Sequence, residues 1–490
     1  MNNNEDTIAA ISTATGEGGI GIVRISGDKS KGILRNLFFF QKEKQPENKE
    51  FADKSMYYGH IADPESGETI DEALVVFMEG PHSYTGEDVC EIQCHGGSIP
   101  LRKILDAVIR LGAVPAQPGE FTKRAFLNGR IDLLQAGAVI DLIKSKTARG
   151  YHAAKEQAEG HLSSQVRAIR EVMLVVLAEI AVRIDYPEAF ENEEPGVEEI
   201  ESEGIDSETS MLLGQLDEIS TEIETLLEGA DAGRMIRDGL RLVIIGKPNT
   251  GKSSLFNALS REEAAIVTAT PGTTRDSLES WLDIRGIPVL LLDTAGIRES
   301  EEEIEALGIK RAKDQYEKAD AAIFLLDGSL ELSNEDFDIA NDLDADKKHI
   351  LVVNKNDLPE AYSNQDVISM LPFDYEIEDL QRISLIDDET SSNNIKSEGI
   401  KAIESMIEKL IMRGVSAGSS LLVTKATQKN LLENAESEIK EAKKILTEGE
   451  APEFAEVNIR AAWTALGELI GEQATDDVIN KVFEDFCVGK

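Results

Sequence analysis

Cysteine is scarce in this chain, with three in 490 residues. An odd count in so long a chain excludes a disulfide framework and fits a reducing cytosol. Long hydrophobic runs are missing too. No stretch of about 18 uncharged apolar residues occurs, so no membrane span is expected. The opening MNNNEDTIAA is too polar and acidic for a secretory signal. Positive charge is the third shortage: 50 basic residues stand against 92 acidic ones, a formal net charge of −42. Such a surface repels nucleic acid at long range unless cations cluster locally. These shortages leave a cytoplasmic chain whose apolar share, 41%, suffices for ordinary cores and whose length suggests about three domains.

What is present falls into three patterns. Up to residue 128, strand-like runs (TIAAIST, GIGIVRISG, EALVVFMEG, DVCEIQCHGG) alternate with turns, and PLRKILDAVIRLGAV has helical spacing. This predicts an α+β domain. Residues 129–236 are helical in period, with a long helix over SSQVRAIREVMLVVLAEIAVRI that stops before Tyr186-Pro187. An acidic loop, ENEEPGVEEIESEGIDSE, separates it from a second amphipathic helix, and helical period returns over 417–490. Between these halves, residues 237–416 alternate strands with helices, the mark of a parallel α/β sheet. The expected fold is therefore multidomain: an N-terminal α+β domain, a helical bundle discontinuous in sequence, and an α/β domain inserted into it.

The inserted domain carries its chemistry openly. RLVIIGKPNTGKSSLFNALSR is a buried strand, a loop Gly246-x-x-x-x-Gly251-Lys252-Ser253 and an apolar-periodic helix, the context a P-loop demands. Backbone N–H groups around Asn249, Thr250, Gly251 and Ser254 would close on phosphate oxygens at a helix N-terminus. Lys252 would neutralise the β- and γ-phosphates, and Ser253 would ligate Mg²⁺. Asn354-Lys355-Asn356-Asp357 follows an apolar strand. The Asp357 carboxylate can accept from guanine N1–H and N2–H₂, a donor pair adenine lacks. Asp293, Thr294, Ala295 and Gly296 end another strand, placing an acid for the Mg²⁺ shell and an N–H for the γ-phosphate. IVTATPGTTRDS adds Thr268, Ala269, Thr270, Pro271, Gly272, Thr273 and, as a Mg²⁺ ligand, Thr274. A Ser-Ala turn contacting guanine is expected next. RISLIDD supplies only half of it, with Ser384 matching and Leu385 not. In order and spacing these elements resemble the GTPase set, so a GTP/GDP-binding GTPase domain is expected.

Ile297 stands where Ras-like switches carry a water-orienting Gln, and an aliphatic side chain cannot do that work. Water must be oriented elsewhere, with candidates in the run Glu299 to Glu305. The developing charge needs Arg275, Arg298 or a second cation. Asn249 with oxygens of Thr268–Thr273 offers a site for K⁺; a loop-shaping role is the alternative.

Three local patterns look informative and are set aside. Gly16-x-Gly18-x-x-Gly21 matches a dinucleotide fingerprint, yet IGIVRIS alternates as a strand where a helix should follow. In CEIQCH, Cys90, Ile92 and Cys94 share one strand face and Glu91, Gln93 and His95 the other, so buried thiols are expected rather than a zinc site. Cys487, three residues before the end, does not open a usable prenylation box, because Gly489 and Lys490 are wrong for it.

GKPNTGKSSLFNAL, IVTATPGTTRD, DTAGIRESEEEIEALGI and the terminal FCVGK resemble the MnmE (TrmE) family of tRNA-modification GTPases. TGEGGIGIVRISG, YTGEDVCEIQCHGG and PGEFTKRAFLNGRIDLLQA resemble that family's N-terminal domain, so the resemblance covers nearly the whole chain. It implies a cytosolic homodimer formed through residues 1–128. It also implies a flavoprotein partner, MnmG (GidA), and modification of carbon 5 of the tRNA wobble uridine. A 5-formyl-tetrahydrofolate-type cofactor would bind the N-terminal domain, and K⁺ near the P-loop would activate hydrolysis. By the same resemblance Asn249, Thr268, Thr270 and Thr273 form the K⁺ site, and Glu305 orients water. Arg24, Glu91, Arg130 and Lys490 contact folate, with Cys487 beside the one-carbon unit. LLVTKATQKN departs from the family in lacking an Arg-His pair. The alternative readings are a GTP-dependent switch in ribosome assembly and a folate-binding regulator without modification activity.

Overall fold

The structure, a computed structural model, describes residues 6–14, 16–40, 50–186, 207–262, 281–292, 313–375, 379–385, 398–413, 415, 422–472, 476–484, 486, 488 and 489. It divides into two compact units. One comprises Met1–Ile140, Gln157–Arg170 and Trp463–Lys490, the other Asp141–Glu156 and Glu171–Ala462.

The first unit holds a seven-stranded sheet in the order β3-β4-β5-β6-β2-β1-β7. Its strands are β1 (Ile8–Ile11), β2 (Gly18–Ser26), β3 (Phe38–Phe40), β4 (Met56–Ala62), β5 (Thr69–Met78), β6 (Val89–Gly96) and β7 (Val114–Pro115). All ladders are antiparallel except β1 with β7. The period of two sorts the side chains. Val23, Ile25, Val75, Phe77, Cys90 and Ile92 point inward onto helices α1 (Ser30–Leu37) and α2 (Ser98–Arg110). Cys90 and Cys94 are buried as the alternation predicts, and burial pushes their thiols up to about 12 and about 11. On the other face Met56, Tyr58 and Leu74 remain exposed beside Arg24 and Glu91, which are paired across β2 and β6. The Gly16–Gly21 segment runs into strand β2, in keeping with the strand reading. Helix α3 (Glu120–Leu127) follows β7. Helices α4 (Leu133–Lys144), α5 (Ala148–Ala158) and α6 (His161–Asp185) come next. The long helix expected before Pro187 is α6, which stops two residues short of it.

The second unit centres on a six-stranded sheet in the order β13-β12-β11-β8-β10-β9. Its strands are β8 (Leu240–Ile245), β9 (Trp281–Ile284), β10 (Ile287–Leu292), β11 (Ala321–Asp327), β12 (Lys348–Asn354) and β13 (Leu380–Arg382). Only β9 runs antiparallel to its neighbour. Every residue of β11 (AAIFLLD) is buried, because a parallel sheet is covered on both faces. Ahead of β8 lie α7 (Ser207–Glu228) and α8 (Ala230–Asp238); α9 (Lys252–Glu262), α10 (Asn334–Asn341), α11 (Asn364–Ser369) and α12 (Glu398–Met412) belong to the sheet region. Later in sequence come α13 (Ala426–Thr447), α14 (Pro452–Ile470), which passes from the second unit into the first, and α15 (Asp476–Glu484), which belongs to the first.

Helices α7 and α13 flank the sheet in sequence yet pack together, which is the expected discontinuous helical region. Leu212, Leu216, Ile219 and Ile223 meet Leu432, Ala435, Ile439 and Ala442, each set at helical spacing and buried. Within that seam the Ser220 hydroxyl donates to Glu436 at 2.7 Å, and Lys440 bridges Glu436 and Glu224. The fold is thus mixed α/β and α, as the alternation of periods predicts. Among the described residues no helix is long and apolar enough to cross a membrane. The acidic stretch read as a loop lies almost wholly outside the described residues.

Candidate functional site

Strand β8 delivers Gly246, and α9 begins at Lys252, so the P-loop turns between a buried strand and a helix N-terminus. The turn needs left-handed backbone at Asn249 (φ 63°) and at Gly251 (φ 105°). A Cβ on Gly251 would lie 2.3 Å from Asn354 Nδ2, so only glycine lets the loop rest against the end of β12. The buried Thr250 hydroxyl donates to the Lys247 carbonyl at 3.0 Å. Lys247 pairs with the buried Asp336, at the start of α10, at 2.7 Å. The Lys252 ammonium donates to the carbonyls of Gly246 and Lys247, each at 2.7 Å, and so lies within the curl of the loop. Desolvation lowers its pKa. Ser253 and Ser254 are exposed in the first turn of α9.

The base-reading end is built where β11, β12 and β13 finish. Asn354 Nδ2 donates to the Thr250 carbonyl at 2.9 Å and ties the loop to β12. Lys355 (φ 65°) turns to pair with the buried Asp327 at 2.5 Å. Burial alone would raise the Asp327 pKa, but the Lys355 ammonium and the Ser329 hydroxyl outweigh it and lower it. The Ser384 hydroxyl donates to Asp357 Oδ1 at 2.7 Å, which leaves Oδ2 for other donors. The half-matched fifth element is therefore joined to the acid it should accompany. Leu385, the mismatch, sets a methyl 3.8 Å from the Gly251 Cβ position, beside the P-loop. Of the expected nucleotide-binding set, Asn249 to Ser254, Asn354, Lys355, Asp357 and Ser384 come together at one end of the sheet. Thr268, Ala269, Thr270, Pro271, Gly272, Thr273, Thr274, Arg275, Asp293, Thr294, Ala295, Gly296 and Glu305 lie outside the described residues.

A second cluster forms on the open face of the first unit. Arg24 grips the Glu91 carboxylate through Nε and Nη2, both at 2.9 Å. Its guanidinium lies 5.4 Å from the Tyr84 ring centroid and 5.6 Å from that of Phe121. Arg130 lies 5.2 Å from the same Tyr84 ring, so one phenol faces two cations. The Tyr84 hydroxyl is 2.9 Å from Thr122 Oγ1. The end of the chain arrives here as well. Val488 bridges Pro118, and the Gly489 carbonyl accepts from Arg24 Nη1 at 3.5 Å. A Cβ on Gly489 would sit 2.4 Å from the Ile11 carbonyl. Phe483 and Phe486 anchor the approach against Ala136 and Ile140. Arg24, Glu91 and Arg130 are thereby brought together; Cys487 and Lys490 lie outside the described residues.

Sequence reasoning missed Tyr84, Phe121 and the ion network beneath them. Arg124 is only 2% exposed; it donates to the Asp6 carbonyl at 2.8 Å, to Glu87 at 3.1 Å and to Glu120 at 2.9 Å. Glu87 also accepts from the Ser26 hydroxyl at 2.7 Å, and Asn128 donates to the Thr85 carbonyl at 2.7 Å. The loop that presents Tyr84 is thus held from below by a buried cation. Nothing local in PGEFTKRAF singles out Arg124. Among the described residues no group of three or more His, Cys, Asp or Glu side chains is arranged to hold a metal.

Residues 7–130 match the family described as "GTP-binding protein TrmE N-terminus", and residues 133–487 match the "MnmE helical domain". The chain is 44% identical to the tRNA modification GTPase MnmE of Alkaliphilus metalliredigens, covering 99% of each chain. It is 43% identical to that of Alkaliphilus oremlandii and 40% identical to that of Clostridioides difficile, again over 99% of both. It is also similar to the crystallised G domain of the T. maritima FeoB iron transporter, at 21% identity and a TM-score of 0.24, covering 35% of this chain and 98% of that one. A likeness that loose has no bearing on the site. With both segments matched and relatives aligned end to end, this chain belongs to the MnmE (TrmE) family of GTPases.

Proposed function

We propose that this chain is a K⁺-stimulated GTPase that modifies tRNA. With a flavoprotein partner, MnmG (GidA), it adds an aminomethyl-type group (carboxymethylaminomethyl) to C5 of the wobble uridine, drawing on a formyl- or methylene-tetrahydrofolate-derived one-carbon unit. The observation that carries the reading is the presence, in one chain of this family, of two separate sites. One is a P-loop with the Asn354–Asp357 turn tied against it; the other is a cation–phenol cluster reached by the chain's own end. The proposed division is 1–128 for folate binding and dimerisation, 129–236 and 417–490 for the helical domain, and 237–416 for the G domain.

At the first site Asp357 reads guanine through Oδ2 while Ser384 holds Oδ1. A base without the N1–H and N2–H₂ pair leaves that acid unmatched. Lys252 exchanges its two loop carbonyls for β- and γ-phosphate oxygens, and the α9 N-terminus adds partial positive charge. Ser253, exposed beside Lys252 with a hard oxygen donor, suits Mg²⁺ together with Thr274. Asn249, exposed and left-handed ahead of the phosphates, suits K⁺ together with Thr268, Thr270 and Thr273. When bound, the two ions would supply positive charge to the phosphate being cleaved. Glu305 orients the attacking water, and Arg275 offsets charge on the departing oxygens.

At the second site Arg24 and Arg130 offer cationic faces, Glu91 an acceptor and Tyr84 a ring, a donor set that fits a planar, anionic pteridine conjugate. When bound, the folate supplies the one-carbon unit. By the family resemblance, Lys490 would meet its carboxylates and Cys487 would serve at the one-carbon position. The apolar residues Met56, Tyr58 and Leu74 on the open sheet face support homodimerisation through this domain. The test is nucleoside analysis of tRNA from cells lacking the chain. Loss of the modified wobble uridine is expected; a normal nucleoside profile would refute the reading. Hydrolysis should also be much faster in K⁺ than in Na⁺, and equal rates would remove the monovalent ion from it.

A further inference from the structure

Two carboxylates beside the nucleotide loops have no part in the function proposed above, and both are buried. Asp327, the last residue of β11, is 3% exposed, and Asp336, in the first turn of α10, is 1% exposed. Burying an acid costs stability unless a cation and hydrogen bonds meet it. Each acid here meets one lysine, and the two lysines belong to different loops.

Asp327 Oδ1 accepts from the Ser329 N–H at 3.0 Å and the Ser329 hydroxyl at 2.6 Å, while Oδ2 accepts from Lys355 at 2.5 Å. Lys355 lies between Asn354 and Asp357, and its left-handed backbone persists only where the surroundings impose it. Asp336 Oδ2 accepts from the Ser333 N–H and hydroxyl, at 2.9 and 2.8 Å, and from Lys247 at 2.7 Å. The Lys247 carbonyl in turn receives the Thr250 hydroxyl and the Lys252 ammonium. Fixing Lys247 therefore fixes an oxygen on which the ammonium of Lys252 rests.

Helix capping does not account for the burial of Asp336. Helix α11 closes the same box with Ser363 and Asp366, at 2.8 and 2.7 Å, and both of those residues are exposed. What sets Asp336 apart is the P-loop lysine paired with it. The stretch between the two acids is seated closely as well. The Gly328 N–H donates to the Asn354 carbonyl at 2.9 Å, and a Cβ on Gly328 would lie 2.8 Å from Val353 Cγ1.

We propose that the segment Asp327–Asp336 is a bracket that positions both nucleotide loops. Asp327 holds the Asn354–Asp357 turn through Lys355, and Asp336 holds the P-loop through Lys247. Keeping both loops in their binding geometry before nucleotide arrives removes an ordering cost from binding. The two acids are positioning residues, acting through their lysines. This rests on the loops forming the nucleotide site, as proposed above.

The test uses the full chain and compares KM and kcat for GTP with the affinity for GDP. Asp327→Asn and Asp336→Asn should each raise KM and weaken GDP by about tenfold. Their kcat at saturating GTP should stay within about twofold of wild type, because only uniform binding is lost. In a Lys355→Met background Asp327→Asn should cause no further loss, nor should Asp336→Asn in a Lys247→Met background. Asp366→Asn, which alters a helix cap alone, should bind GTP as the wild type does. Wild-type KM in both acid variants, or an undiminished loss in the matching lysine background, would overturn the proposal. So would an equal loss in Asp366→Asn, which would assign the effect to capping. Where an acid variant alone does not fold, its double with the lysine is compared with the lysine variant. Equal affinity is then expected, and a further loss overturns the bracket. If Asp357→Asn leaves base preference unchanged, the reading of that turn fails while the cycles still decide the bracket. If base preference shifts and the cycles show no coupling, the bracket fails and the proposed function stands.

Discussion

The P-loop and the arginine–tyrosine cluster are assembled by different means. Around the loop, carbonyls and N–H groups of one contiguous stretch, Gly246 to Ser254, are braced by the ends of adjacent parallel strands. Around Tyr84, the backbone contributes little. The chemistry comes from side chains on β2, β6 and α3, from Arg130, and from a carbonyl at the far end of the chain. A backbone site tolerates exchanges at many side chains but not an added Cβ at its tightest turn. A side-chain site has no such single point, yet it depends on the buried ions that hold its parts in register.

That contrast predicts different failures. Arg124→Met strands Glu87 and Glu120 in a half-buried setting, and should destabilise the first unit by about 3 kcal/mol. Thermal unfolding checks this, with GTP affinity expected to stay at the wild-type value. Gly251→Ala forces a methyl onto Asn354 at a positive φ. GTP affinity should drop by at least about a hundredfold, while the Arg24–Tyr84 cluster keeps its stability; near-normal GTP binding would show the loop to be less constrained than drawn. Asp357→Asn should reverse base preference, with GTP bound about 10- to 100-fold more weakly and XTP gaining in its place. Competition between the two nucleotides reads this directly. Ser384→Ala removes one hydroxyl from an exposed carboxylate and should weaken GTP by only about fivefold. An effect as large as that of Asp357→Asn would mean that Ser384 reads the base itself.

The same contrast explains what was legible in the sequence. Strong periods were: α6 runs from His161 to Asp185 where its spacing predicts, and Cys90, Ile92 and Cys94 face the core. The P-loop and the Asn354–Asp357 turn were legible because contiguous residues make them. Ser384 was only half legible, since its bond to Asp357 depends on β13 pairing with β12 rather than on a local motif. Tyr84, Phe121 and Arg124 carried no signal, because their partners come from segments far apart in the chain and each is ordinary among its neighbours.

The claim that one chain joins a guanine-driven switch to a one-carbon site is tested most directly by complementation. A strain lacking this chain would receive Arg24→Gln or Asp357→Asn, and its tRNA nucleosides would be measured. The account predicts that neither variant restores the modified wobble uridine, although Arg24→Gln hydrolyses GTP at the wild-type rate. Wild-type levels of that nucleoside in the Arg24→Gln strain would contradict it.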